Sequence, residues 1–205
     1  MKKARDHAWV LLQESAALLK PGMNEETARK TVQACLKKGG VSKNWHAPKI
    51  RFGTESTKGF SDSPDQTVLL KEDDIFFLDY GPVLNGFEAD VGDTFVLGNN
   101  PQFLFLQKQV REIFHEVKAY WEKTEADGPT LYKFATEVAA KREVVLESHK
   151  AGGHIIAEFP HQLKHRGSMT KYDSKTVQGV WVLEIQLSLP GTPYGAFYED
   201  LLIHQ

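Results

Sequence analysis

Four acids and two histidines in this chain stand at positions where hydrophobic segments seldom tolerate polar groups. Asp79 closes the apolar run Ile75 to Leu78, and Asp90 follows eleven residues later in FEADVGDTF. Glu184 interrupts VWVLEIQL in its middle, and Glu199 lies within FYEDLLI. His154 and His161 bound the stretch HIIAEFPH, seven residues apart with apolar residues between them. A buried carboxylate without donors or a cation is costly, so each acid needs a partner. Taken singly, each has an ordinary explanation. The two aspartates could be turn-flanking acids, Glu184 could pair with a basic side chain, and His154 could be a hydrogen-bonded core histidine. Glu199 could solvate a strand end, with Asp200 beside it as the exposed partner. Taken together, Asp79, Asp90, His154, Glu184 and Glu199 form a hard, oxygen-rich set with one nitrogen. Such a set suits two divalent ions such as Mn, Co, Fe or Zn rather than a thiolate zinc site.

The spacing of the aspartates is informative because Asn85-Gly86 between them is a strong signal for a two-residue hairpin turn. A turn centred there sets Asp79 opposite Gly92 and makes Asp90 its diagonal neighbour on the same face. Diagonal partners lie about 7 Å apart, and the ions of a hydrolytic pair lie about 3.5 to 4 Å apart. One aspartate can then serve each ion, or bridge both. Asp93 has the opposite parity and points away.

The elements that must position these residues follow from periodicity. Residues 4 to 19 read as an amphipathic helix stopped by Pro21-Gly22, and a second helix runs from Asn24 and its neighbouring acids to about Lys38 before Gly39-Gly40. Residues 41 to 66, rich in Gly, Ser, Asp and Pro, read as a loop carrying Asn44-Trp45-His46-Ala47-Pro48 toward a substrate. Strands are expected at 75 to 79 and 87 to 97, helices at about 102 to 123 and 130 to 148 with Gly152-Gly153 ending the latter, then strands in VWVLEIQL and GAFYEDLLI. This order predicts an α+β fold with mainly antiparallel pairing.

Composition narrows the partners. At 205 residues and 41 % hydrophobic content the chain can bury a sizeable core, here read as one domain over residues 1 to 205. Its 25 basic and 27 acidic residues give no global field to gather nucleic acid or an anionic membrane. The single cysteine, Cys35, excludes an intrachain disulfide or a multi-cysteine zinc cluster. No stretch approaches the roughly 18 apolar residues of a spanning helix, and the N-terminus lacks a signal-peptide core. A cytoplasmic location is expected, with a homodimer as the default assembly.

Five ordered motifs resemble the methionine aminopeptidase, prolidase and creatinase superfamily: FFLDYGP, EADVGDTF, AGGHIIAEFPH, GVWVLEIQ and FYEDLLI. The resemblance implies a pita-bread fold with pseudo-twofold halves and a dinuclear centre at Asp79, Asp90, His154, Glu184 and Glu199. It further implies that Glu184 acts as general base and that His161 hydrogen-bonds the scissile carbonyl or the oxyanion derived from it. The chain also departs from the pattern. Ile155, Ile156 and Ala157 replace a glycine-bearing run, Ile185 replaces a proline, and Gln162 replaces an acid. Asp93 replaces a basic residue, and Ser61 stands where a substrate-side histidine is usual. His46 is the candidate to supply that lost contact.

The function expected is a metal-dependent peptidase that removes an N-terminal residue from short peptides or splits dipeptides, including Xaa-Pro bonds. The alternatives are a binding module of the same fold without peptidase activity, and a metal-independent amidine hydrolase, against which retention of all four carboxylates argues.

Overall fold

The computed structural model describes residues 1–161 and 167–204. Among the described residues the α-helices are α1 (Lys2–Leu18), α2 (Glu25–Lys38), α3 (Pro101–Thr124) and α4 (Gly128–Lys141). The strands are β1 (Lys43–Phe52), β2 (Asp74–Leu84), β3 (Phe87–Glu88), β4 (Val91–Leu97), β5 (Val145–Leu146), β6 (His154–Ile155), β7 (Trp181–Ser188) and β8 (Gly195–Leu201). They form one antiparallel sheet in the order β1-β2-β4-β8-β7-β5, with β3 beside β2 and β6 beside β7. The α+β expectation holds.

Helix starts follow the capping residues. Asn24 accepts a hydrogen bond from Thr27 N, Asn100 from Gln102 N and Asp127 from Thr130 N, each satisfying a donor the first turn leaves open. Proline at 101 and 129 fits the first turn of α3 and α4, where its missing N–H costs nothing.

Through their central residues β2, β7 and β8 alternate between two faces. Phe76, Leu78 and Tyr80 of β2 face the α1/α2 layer, where the Tyr80 hydroxyl donates to the Ala8 carbonyl at 2.8 Å. Leu183, Ile185 and Leu187 of β7 join Val110, Phe114, Val117 and Leu131 of the α3/α4 layer. The intervening residues Phe77, Asp79, Glu184, Phe197 and Glu199 face the opposite side of the sheet, where they line cavities. Period-2 patterning thus sends Phe76, Leu78, Tyr80, Leu183, Ile185 and Leu187 to helix-packed cores and the residues between them to the cavity side, while Ile75 at the start of β2 joins the α3/α4 core.

Three elements differ from their sequence expectations. Residues 43 to 52 form β1 instead of part of a loop. Its pairing with β2 is interrupted between Asn44 and His46 and again between His46 and Lys49, which hides the alternation and accommodates Pro48 on an edge strand. The helix expected over 130 to 148 ends at Lys141, because Glu143 takes a left-handed φ of 58°, and Val145–Leu146 then pair with β7. The strand expected over 87 to 97 is broken at Ala89-Asp90 into β3 and β4.

Candidate metal centre

The hairpin register is as the turn dictates. Asn85 and Gly86 have φ of 53° and 80°, the left-handed pair of a type I′ turn. Leu84 pairs with Phe87, and Asp79 with Gly92. Asp93 lies on the other face, where Arg111 holds it bidentately at 2.9 and 2.7 Å.

The two halves of the sheet meet at β4 and β8, where Gly92 pairs with Glu199, and Glu199 in turn pairs with Glu184 across β8 and β7. The Thr94 hydroxyl reinforces this seam, donating to the Phe197 carbonyl and accepting from Phe197 N, both at 2.8 Å. Gly92 has to lack a side chain. A Cβ there would stand 2.6 Å from Phe197 Cε1 and 2.9 Å from Glu199 Oε1.

His154 arrives on β6, paired with Val182 of β7. The preceding Gly153, at φ 66°, donates its N–H to Glu184 Oε2 at 2.5 Å, and a Cβ on it would meet Val182 O at 2.8 Å. That glycine places the histidine and fixes the glutamate in one step. Tyr132 of α4 braces the same strand from beneath, its hydroxyl donating to the Glu184 carbonyl at 2.9 Å.

Asp79, Asp90, His154, Glu184 and Glu199 therefore line one cavity of about 500 Å³, together with His46, Glu88 and His161. The remainder of its wall is Trp45, Phe60, Ile155, Phe159, Pro160 and Gly167. No lysine or arginine lines it among the described residues. His154 Nε2 is 2.8 Å from Asp90 Oδ2, and His46 Nε2 is 3.0 Å from Asp90 Oδ1 and 3.5 Å from Asp79 Oδ1.

Charge is crowded here. Burial, with Asp90, Asp79 and Glu184 adding to it, pushes the Glu199 carboxyl well above the usual carboxylate range. Burial also raises Asp79, to about 7, although His46 opposes the shift. Asp90 is held low despite its burial, because His46 and His154 both face it. Both imidazoles rise to about 9, the carboxylates outweighing the burial that disfavours their charge. Burial and mutual repulsion thus disfavour the charged forms of Asp79, Glu184 and Glu199 together, and Glu199 Oε1 is buried with no hydrogen-bond partner. Divalent cations answer both. The groupings His46, Asp79, Asp90 and Asp90, His154, Glu199 each bring their donor atoms within 4.8 Å of one another.

Opposite these groups stands His161. Its Nδ1 lies 2.9 Å from Glu88 Oε2, which also accepts from Ala157 N at 2.9 Å, while Glu88 N donates to the Ala157 carbonyl. Phe159 N bonds the Gly86 carbonyl at 2.8 Å, so the hairpin tip carries the segment leading to His161 over the cavity. Of Ile155 to Ala157, which replace a glycine-bearing run, Ala157 thus pairs with β3, while Ile155 pairs with Trp181 of β7 and Ile156 N bonds the Val180 carbonyl.

Glu88 is the site residue that sequence reasoning missed. Its signal was a charged residue between Phe87 and Ala89 at the parity opposite the core. Asp200 corrects an expectation too: it is buried on the helix side, holding Arg5 and accepting from Trp9 Nε1 at 3.1 Å, rather than exposed beside Glu199. Ser61 is exposed and away from the cavity lining. Gln162 lies outside the described residues.

The sequence profile of metallopeptidase family M24 matches residues 1–204. No curated protein matches the chain. Among solved structures it is similar to an X-Pro aminopeptidase from Thermotoga maritima, at TM-score 0.75 and 18 % identity over 97 % of this chain and 55 % of that one. A prolidase from Pyrococcus horikoshii gives 0.72 and 19 %, over 97 % and 56 %. A methionine aminopeptidase from Thermotoga maritima gives 0.72 and 17 %, over 97 % and 89 %. The chain spans just over half the length of the first two. What is shared with all three is the pita-bread fold.

Proposed function

The chain belongs to metallopeptidase family M24, and we propose that it is a dinuclear-metal-dependent peptidase acting at the first peptide bond of short peptides or dipeptides. The observation that carries this reading is the convergence of Asp79, Asp90, His154, Glu184 and Glu199 on one cavity, where the carboxyls crowd one another and Glu199 Oε1 is left without a hydrogen-bond partner. These five side chains would hold two divalent ions, which would supply a water acidified toward neutral pH.

The chain's own groups do the rest. Glu184, anchored by Gly153 N–H, receives the proton of the attacking water and delivers it to the leaving amine. His161, held through Nδ1 by Glu88, directs Nε2 at the scissile carbonyl and stabilises the oxyanion as it forms. Trp45, Phe60, Ile155, Phe159 and Pro160 form an apolar wall that excludes water and suits a hydrophobic first residue or a prolyl ring.

The test is turnover of a dipeptide panel, Xaa-Pro substrates included, with Mn, Co, Fe or Zn added. Hydrolysis should vanish on chelation and fall by at least about 100-fold in Asp90→Asn, more than loss of a residue supporting a ligand costs. A metal-loaded chain inert toward every peptide would sink the assignment. The exposed position of Ser61 favours a second reading, a peptide-binding module without turnover; it predicts peptide binding by calorimetry in that inert, loaded chain.

A further inference from the structure

His46 lines the cavity with its Nε2 directed at the acids. Its side chain is 8 % exposed, and Nε2 is turned into the carboxylates, 3.0 Å from Asp90 and 3.5 Å from Asp79. The other ring nitrogen, Nδ1, lies 3.0 Å from the Ala47 carbonyl oxygen, which can only accept, so Nδ1 carries a proton. His154 repeats this arrangement, with Nε2 toward Asp90 at 2.8 Å and Nδ1 3.3 Å from the Ile155 carbonyl. A ring that donates Nδ1–H to a backbone carbonyl has its tautomer fixed, with the Nε2 lone pair free for a metal.

The surroundings are built for this placement. Trp45 packs edge-on against both rings, with centroids 4.4 Å from His46 and 5.4 Å from His154, and its Nε1 donates to the Ala89 carbonyl at 2.9 Å. Gly81, paired with His46 across β1 and β2, leaves the space. A Cβ there would lie 2.2 Å from Trp45 Nε1 and 2.4 Å from His46 Cδ2. The irregular pairing of β1 on either side of His46 turns the ring toward Asp79 and Asp90.

We infer that His46 is a sixth ligand of the centre, joining Asp79 and Asp90 at one seat as His154 joins Asp90 and Glu199 at the other. The inference rests on the proposal that this cavity holds divalent ions. It replaces the one-nitrogen set implied by the five motifs with a set of one imidazole per ion. That shifts the preference from manganese, which suits oxygen ligands, toward zinc, cobalt or iron, which accept imidazole readily.

The experiment is X-ray absorption on the protein loaded with Co(II), with calorimetric titration of the same samples. The wild-type chain should show imidazole scattering from one ring per ion. That amplitude should fall to half in His46→Ala and equally in His154→Ala, and Co(II) affinity in His46→Ala should drop by at least about 10-fold. Wild-type ring count in His46→Ala with both ions still bound overturns the inference, because His46 would then act only through its hydrogen bonds; loss of one ion, with one ring left on the other, supports it. Should His46→Ala fail to fold by circular dichroism, His46→Gln is read by the same two outcomes. Absence of Co(II) uptake by the wild-type protein overturns both this inference and the functional proposal. Two ions bound with unchanged rings overturns this inference alone.

Discussion

Glu184 and Glu199 stand directly opposite one another on the antiparallel strands β7 and β8, side chains on the same open face of the sheet. Like charges in opposed positions destabilise a strand pair, and here burial raises both carboxyls above their ordinary range. The pair makes sense as half of a cation site, and it makes the metal-free fold pay for that site in stability. Each divalent ion at about 100-fold excess over Kd should add about 2.7 kcal/mol, or roughly 5–10 °C in Tm for a chain of this size. Glu199→Gln should leave the metal-free protein at least as stable while losing the metal-induced shift. Calorimetric scans with and without chelator measure both, and equal shifts in the two chains would refute the account.

Gly92 is the point where the two halves of the sheet close on the site. Its Cβ would fall 2.9 Å from Glu199 Oε1 and 2.6 Å from Phe197 Cε1. Gly92→Ala should cost about 1–3 kcal/mol by overpacking and should weaken metal binding by displacing Glu199. Denaturant unfolding and metal titration read the two effects separately. A variant with unchanged metal affinity would show that the seam is looser than described.

Glu88 acts on His161 rather than on substrate. Its Oε2 meets His161 Nδ1 at 2.9 Å and Ala157 N at the same distance, with Glu88 only 1 % exposed. Glu88→Gln should lower kcat/KM by about 10- to 100-fold, chiefly through kcat. Since both residues serve one function, the double variant with His161→Ala should lose no more than His161→Ala alone. Additive losses in the cycle would separate the two roles.

Glu25 offers a pH dependence away from the site. It pairs with Arg51 at 2.8 Å, yet Glu25 Oε1 and Arg51 Nε are buried without partners. Burial pushes its carboxyl up to about 7 from an ordinary 4.5, although Arg51 opposes the shift. The folded chain thus holds this proton more tightly than the unfolded one. The contribution to stability is full below about pH 4.5 and is lost as pH rises through 7. Glu25→Gln should abolish that component, so the difference in unfolding free energy between the two chains should slope across pH 4.5 to 7 and flatten above. A flat difference throughout would place the Glu25 pKa at its ordinary value.

The chain's own text was enough for the strands that carry the acids. Asn85-Gly86 set the register that pairs Asp79 with Gly92, and period-2 alternation set which of Asp90 and Asp93 faces the cavity. Helix starts were legible because Asn24 and the acids after it satisfy the first turn locally. These are short-range effects, decided within a few residues by backbone sterics and capping.

What the sequence left open depends on contacts across the fold. Strand β1 is concealed in its own residues, since its irregular pairing and Pro48 break the alternation, and only the ladder with β2 makes it a strand. The Glu88–His161 contact spans 73 residues, and the seat of His46 against Asp90 spans 44. Residue type and spacing were enough to single out Asp79, Asp90, His154, Glu184 and Glu199, which the fold brings to one cavity. Which imidazole nitrogen faces which carboxylate is fixed by packing, where Gly81, Gly92 and Gly153 leave room for side chains arriving from distant strands.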